Sequence, residues 1–134
     1  MIYERLENIK NELNSFDDEF LKYSFLVELS AYVPSEQPDL MVDENILKGC
    51  QSRVWIHFSK ENGIFNMAAT SDTLIIRGVL YVMMELYNGL STEEISKNKI
   101  KFLEECGIIH HFSSDRISGI SGIADSIYDF CATP

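Results

Sequence analysis

Cysteine is the side chain whose chemistry depends most on its setting, and this 134-residue sequence holds three, Cys50, Cys106 and Cys131. Their wide, irregular spacing contains no C-x-x-C pair and builds no disulfide framework. The odd count leaves at least one thiol free and suits a reducing compartment. Cys131 continues an apolar row and Cys106 follows Phe102 and Leu103, so both read as small hydrophobes of a core. Cys50 differs: in Leu47-Lys48-Gly49-Cys50-Gln51-Ser52-Arg53 no apolar period claims it. Gly49 lets the backbone bend with no side chain beside the sulfur. Gln51 and Ser52 can either donate hydrogen bonds to a thiolate or simply pin a turn, and Lys48 and Arg53 favour the charged form. A thiolate on an exposed turn can attack a sulfur–sulfur bond. Among the other polar candidates, Asp72 reads as a helix N-cap or as a group that shelters or releases the Cys50 loop. Arg77 reads as a surface ion pair or a partner contact. Arg116, near a helix start, is a poor match to the helix dipole, which points to a partner or loop-anchoring role. His57 reads as a half-exposed strand residue, His110-His111 as a solvated turn, and Trp55 as packing.

The elements that must position these residues follow from periodicity. Residues 2–13 form an amphipathic helix. Ser15 is placed as the N-cap of a second, with Asp18 as the reciprocal acid of a capping box. That helix runs to about Tyr32, with Leu21, Phe25, Leu29 and Tyr32 on one face, before Pro34 and Pro38 forbid continuation. Residues 53–58 alternate as a strand, Val54, Ile56 and Phe58 facing one way and Arg53, Trp55 and His57 the other. Asn62-Gly63 is a hairpin signal, with the return strand at Ile64–Thr70, and a third short strand is expected near Glu44–Leu47. Ser71 and Asp72 precede a helix whose Ile76, Leu80, Met83 and Tyr87 face the core and which ends at Gly89. Gly78 inside it costs about 1 kcal/mol against alanine, a loss that close backbone packing explains. Ser91-Thr92-Glu93-Glu94 fits a capping box, a helical turn from Lys99 to Cys106 stops at Gly107, and a last helix from Ser114 carries Ile117, Ile120, Ala124, Ile127 and Cys131. The sum is an α+β domain, 1–134, in which a small three-stranded antiparallel sheet packs against helices.

Composition narrows the function classes. Lys and Arg total 11 against 21 Asp and Glu, a net charge of -10, so no phosphate-tracking surface is expected and nucleic acid is not a partner. The charged N-terminal segment has no apolar signal core, and the longest apolar stretch carries Arg77 and Glu85, so neither a membrane span nor export is expected. The expectation is a cytoplasmic protein.

Gly49-Cys50-Gln51-Ser52 followed by Val54-Trp55 resembles the signature of the SufE family of sulfur acceptors in iron–sulfur cluster assembly. Asn45 sits where that family keeps an asparagine. Ser71-Asp72 with Arg77-Gly78, and Phe112-Ser113-Ser114-Asp115-Arg116 with Gly119, are similar to its later segments. The resemblance runs in order from about Phe20 to Tyr128, with Phe112 in place of the usual leucine and Ser118 in place of a frequent asparagine. It implies a SufE/IscU-like fold and a persulfide relay. In that relay Cys50 accepts sulfur from a PLP-dependent, SufS-like cysteine desulfurase, stimulates it, and passes the sulfur to a SufB-containing cluster scaffold. PLP then belongs to the partner; no cofactor or metal is expected on this chain, and no turnover by the chain alone. An IscU-like iron–sulfur or metal scaffold is the rival reading, but it needs several converging soft ligands, and Cys106 and Cys131 lie on core rows. A free-standing thiol enzyme would need a base beside Cys50 and a group to orient that base.

Overall fold

The computed structural model describes residues 1–47 and 52–134. Lys48, Gly49, Cys50 and Gln51, including the expected nucleophile and two of its loop neighbours, lie outside the described residues.

Helix α1 (Ile2–Asn14) buries Ile2, Leu6 and Leu13, as its amphipathic pattern requires. Helix α2 (Glu19–Leu29) starts three residues later than its first capping signal suggests. Asp18 is the cap, its carboxylate accepting the Phe20 N–H at 2.7 Å, while the Ser15 hydroxyl donates to the Glu12 carbonyl at the end of α1. The face that α2 buries is also one residue away from the expected row: Lys22, Leu26 and Ser30 are covered, whereas Leu21 and Tyr32 are exposed. The reason is Gly78. A Cβ there would lie 1.9 Å from the Leu26 carbonyl oxygen, so α2 and α3 (Leu74–Tyr87) meet backbone to backbone. Leu26 is the residue at that contact, and Lys22 and Ser30, one turn to either side of it, are buried with it. Phe25 and Leu29 pack along its side.

Strands β1 (Val54–Glu61) and β2 (Ile64–Ser71) pair antiparallel from Glu61↔Ile64 to Val54↔Ser71. Asn62 and Gly63, with φ of 54° and 76°, make the two-residue turn, whose left-handed backbone matches the twist of the strands. The third strand is reduced: Asp43–Asn45 forms a 3-10 turn, and among the described residues only Ile46 then bridges to Trp55, with the Leu47 N–H donating to the Val54 carbonyl at 2.8 Å. The outer edge of β2 is closed by the chain leaving α3. Gly89 and Leu90 bond both backbone groups of Phe65, and the Asn88 carboxamide bonds the N–H and the carbonyl of Met67. A side chain here takes the place of a neighbouring strand and leaves that edge no free donors at these positions.

Helix α3 buries Ile76, Leu80, Met83 and Tyr87 as expected, with Ile75, Val79, Val82 and Leu86 beside them, and is central to the core. Helix α4 (Thr92–Lys97) is capped by Ser91, whose hydroxyl accepts the Glu94 N–H; the Glu94 carboxylate accepts the Ile2 N–H instead of closing a box on Ser91. Short α5 (Phe102–Glu105) ends before Gly107, at φ 71°. Helix α6 (Ser114–Ala132) buries Ile120, Ala124, Ile127 and Cys131 and is capped by Ser113. Among the described residues, no helix is long and apolar enough to cross a membrane.

Candidate functional site

The chain that leaves the Cys50 segment is held by three elements. Arg53, the residue before β1, is gripped from the β2–α3 junction. Its N–H and Nε both donate to Asp72, at 3.1 Å each, and its carbonyl accepts from the Ser71 hydroxyl at 2.7 Å and the Asp72 N–H at 3.3 Å. Among the described residues, Ser52 is held by side chains. The Thr73 hydroxyl donates to its Oγ at 2.8 Å, sharing its one proton with Asp72 Oδ1 at 3.2 Å, and the Arg116 guanidinium donates at 3.3 Å. Donors from α3's N-terminal cap and α6's first turn therefore converge on the residue two places after Cys50.

Asp72 is thus not the helix cap. The N-cap position is Thr73, whose N–H is met by the Ser71 hydroxyl at 3.2 Å. The Asp72 carboxylate turns back onto Arg53. Its pKa is raised by burial but more than compensated by hydrogen bonds from Arg53 and Thr73 and by the Arg53 charge, and lies below its ordinary value. The Arg53 guanidinium also sits 5.5 Å over the ring of Trp55, which is itself buried and bridged to Ile46. Arg53 is therefore engaged by Asp72 and Trp55.

Arg116, expected to anchor or to meet a partner, is brought to the site through Ser52, while its backbone N–H meets the Ser113 cap. Arg77 is not bonded into this cluster: it lies one turn into α3, half-buried, and its Nε has no hydrogen-bond partner among the described residues. Ser52, Val54, Ile76, Arg116 and Ile123 line a small crevice at this point, with Asp115 at its rim. Asn45 pins the approach from the other side, its Nδ2 donating to the Leu40 carbonyl at 3.0 Å.

The remaining candidates are placed elsewhere. His57 is exposed and lines a separate shallow groove with Asp39 and Glu44. His111 is not a solvated turn residue: its ring packs edge-on against Tyr23 and Phe112, with Nε2 3.0 Å from Glu19. Burial pushes its pKa down, against the pull of Glu19. Cys106 and Cys131 are core residues. Burial pushes the Cys106 thiol up to about 12 and the Cys131 thiol up to about 11, so neither supplies a thiolate at neutral pH. Sequence reasoning missed Thr73, which reads as an ordinary residue at a helix start. The one local signal for it is its place directly after Ser71-Asp72, in a segment already marked by motif.

A family model described as "SufE: Fe-S metabolism associated domain" matches residues 7–131. An uncharacterized SufE-like protein of Rhizobium etli is 28% identical over 127 residues, covering 91% of this chain and 86% of that protein. The solution structure of a hypothetical protein from Thermus thermophilus shares the fold, with a TM-score of 0.75 at 19% identity over 95% of this chain and 93% of that one.

Proposed function

The chain belongs to the SufE family, and from this premise we propose that it is a sulfur acceptor of iron–sulfur metabolism in which Cys50 is the accepting thiol. The donor is the persulfide of a PLP-dependent, SufS-like cysteine desulfurase. The Cys50 thiolate attacks the outer sulfur of that persulfide, a new sulfur–sulfur bond forms on Cys50, and the desulfurase thiolate leaves. The step is a displacement with no net redox change, so it needs no cofactor on this chain. The Cys50 persulfide then gives its outer sulfur to a thiol of a SufB-containing scaffold. Both exchanges belong to the cytoplasm, and residues 1–134 act as one acceptor domain without turnover of their own.

The observation that carries this reading is the anchoring of Ser52 and Arg53. Six hydrogen bonds, to Ser52 from Thr73 and Arg116 and between Arg53 and the Ser71-Asp72 pair, fix one end of the Cys50 segment to the core. A thiol on such a segment can be sheltered at rest and extended when a partner competes for those bonds, as a persulfide prone to reduction and oxidation requires. The buried Cys106 and Cys131 speak against a metal scaffold, which needs converging thiolates. The test is desulfurase stimulation. Wild-type protein should raise the cysteine turnover of its desulfurase and Cys50→Ser should not; stimulation by Cys50→Ser at the wild-type level would refute the carrier mechanism.

A further inference from the structure

A groove of about 360 Å³ opens between α1, the end of α2 and the second half of α3. Phe25 and Leu29 give it an apolar wall. At its mouth the exposed ring of Tyr32 stacks on Tyr81, with centroids 5.2 Å apart and planes at 28°. Glu12 and Glu85, both exposed, line the same mouth. The cation beside them, Arg5, is already committed: its Nη1 donates to the Asn88 carbonyl at 2.6 Å and to the Glu85 and Leu86 carbonyls at 3.4 Å, closing the C-terminus of α3. What the groove offers a visitor is therefore two carboxylates, a stacked aromatic pair with an open face, and an apolar wall. Burial is the main cause of the raised pKa of Tyr81, followed by the charge of Glu85 and a hydrogen bond from the Tyr81 phenol to the Glu85 carboxylate, with a smaller part from Glu12; one oxygen of Glu85 is thus shared with Tyr81.

We propose that this groove receives an arginine side chain from a basic polypeptide partner, the guanidinium lying on the Tyr32–Tyr81 pair and held by Glu12 and Glu85. Charge complementarity selects a cation, since two carboxylates line the mouth against the single charge of Arg5, whose Nη1 is turned onto the end of α3, and the net charge is -10. The stacked rings select a planar one: guanidinium stacks on an aromatic face and pairs with carboxylates through a rigid fork, which an ammonium cannot do. The apolar wall matches the methylene stem of the same side chain. Tyr81 lies eight residues after Thr73, about 12 Å along α3. The groove is thus outside the Ser52 cluster, and its occupancy does not depend on the sulfur-acceptor reading.

The test is an NMR titration of the whole chain, amide by amide, with Nα-acetyl-argininamide and with its uncharged isostere Nα-acetyl-citrullinamide. Saturable shifts at Asn8, Leu29, Tyr81 and Glu85 are expected with the arginine compound, with binding about tenfold weaker for the citrulline compound. Tyr32→Ala and Glu12→Gln should each weaken arginine binding about threefold or more; both residues are exposed, and the unperturbed amide spectrum of each variant checks its fold. Shifts spread over the acidic surface, equal binding of the citrulline compound, or wild-type affinity in Tyr32→Ala would overturn the proposal.

Discussion

Replacing Asp72 with alanine removes the carboxylate that holds Arg53 while leaving the Ser71 hydroxyl and the residue 72 N–H on the Arg53 carbonyl, so the hairpin register should survive. Arg53 and Asp72 are 67% and 40% exposed, which limits their ion pair to at most about 1 kcal/mol. The bond from the Arg53 N–H adds about 1 kcal/mol. Together, about 1–2 kcal/mol is lost from the state in which Arg53 is anchored, and the released fraction rises roughly fivefold to thirtyfold. The readout is the rate at which Cys50 reacts with 4,4′-dithiodipyridine, a thiol reagent active in acid as well as at neutral pH, in the folded protein. Asp72→Ala should react faster by that factor, with only a small shift in the urea midpoint. The pH dependence follows from the depressed pKa of Asp72. A carboxylate whose folded pKa lies below its unfolded value stabilises the anchored state above the unfolded pKa, and this contribution is lost as pH falls through the folded one. The ratio of variant to wild-type rate should therefore be large at neutral pH and fall towards one in acid, below the ordinary carboxylate range. A ratio of one at neutral pH, or a ratio that does not collapse in acid, would refute the clamp.

Three further outcomes test the packing around this site. Gly78→Ala puts a Cβ 1.9 Å from the Leu26 carbonyl oxygen. The overpacking should outweigh alanine's better helix propensity for a net loss of about 2 kcal/mol in urea unfolding, and an unchanged or higher midpoint would contradict the backbone contact. Tyr128 accepts the buried Ile100 N–H at 2.8 Å and pairs with the Tyr87 hydroxyl at 2.9 Å. Tyr128→Phe strands two buried polar groups and should cost about 1–3 kcal/mol, whereas Tyr87→Phe leaves the Ile100 bond intact and should cost less in the same assay. With Cys106 and Cys131 buried and their pKa values raised, neither should react with a bulky disulfide at neutral pH in the folded protein, whereas both should react in denaturant; an adduct mapped to Cys106 or Cys131 in the folded state would contradict the core assignment.

How much of this was legible in the sequence depends on the range of the interaction. The hairpin is encoded locally by Asn62-Gly63 between alternating residues, and α3 and α6 bury the rows that their spacing marks, apart from Ile117 at the start of the α6 row, which is only partly covered. Gly78 announces a close approach without naming Leu26 as its partner. Helix α2 shows the limit. Ser15 and Asp18 are both competent caps, and the larger side chains Leu21 and Tyr32 suggest a core face that the glycine contact assigns to Lys22, Leu26 and Ser30. The third strand shrank to the Ile46–Trp55 bridge because Asp43–Asn45 turns as a 3-10 segment. At the site, motif resemblance marked Ser52, Asp72 and Arg116 but not their arrangement. The bonds that join Ser52 to Thr73 and Arg116 span 21 and 64 residues, and no local period carries such a relation. Asp72 has the residue type and position of a cap, and only the nearby Arg53 redirects it.

Sulfur transfer to Cys50 is best tested by intact-mass measurement and peptide mapping under non-reducing conditions, after incubation with a SufS-like desulfurase, PLP and cysteine, with Cys50→Ser as control. One added sulfur is expected on the peptide that contains Cys50 and none on the variant. Persulfidation of the desulfurase with no sulfur on Cys50, or an adduct that persists in Cys50→Ser, would contradict the acceptor role.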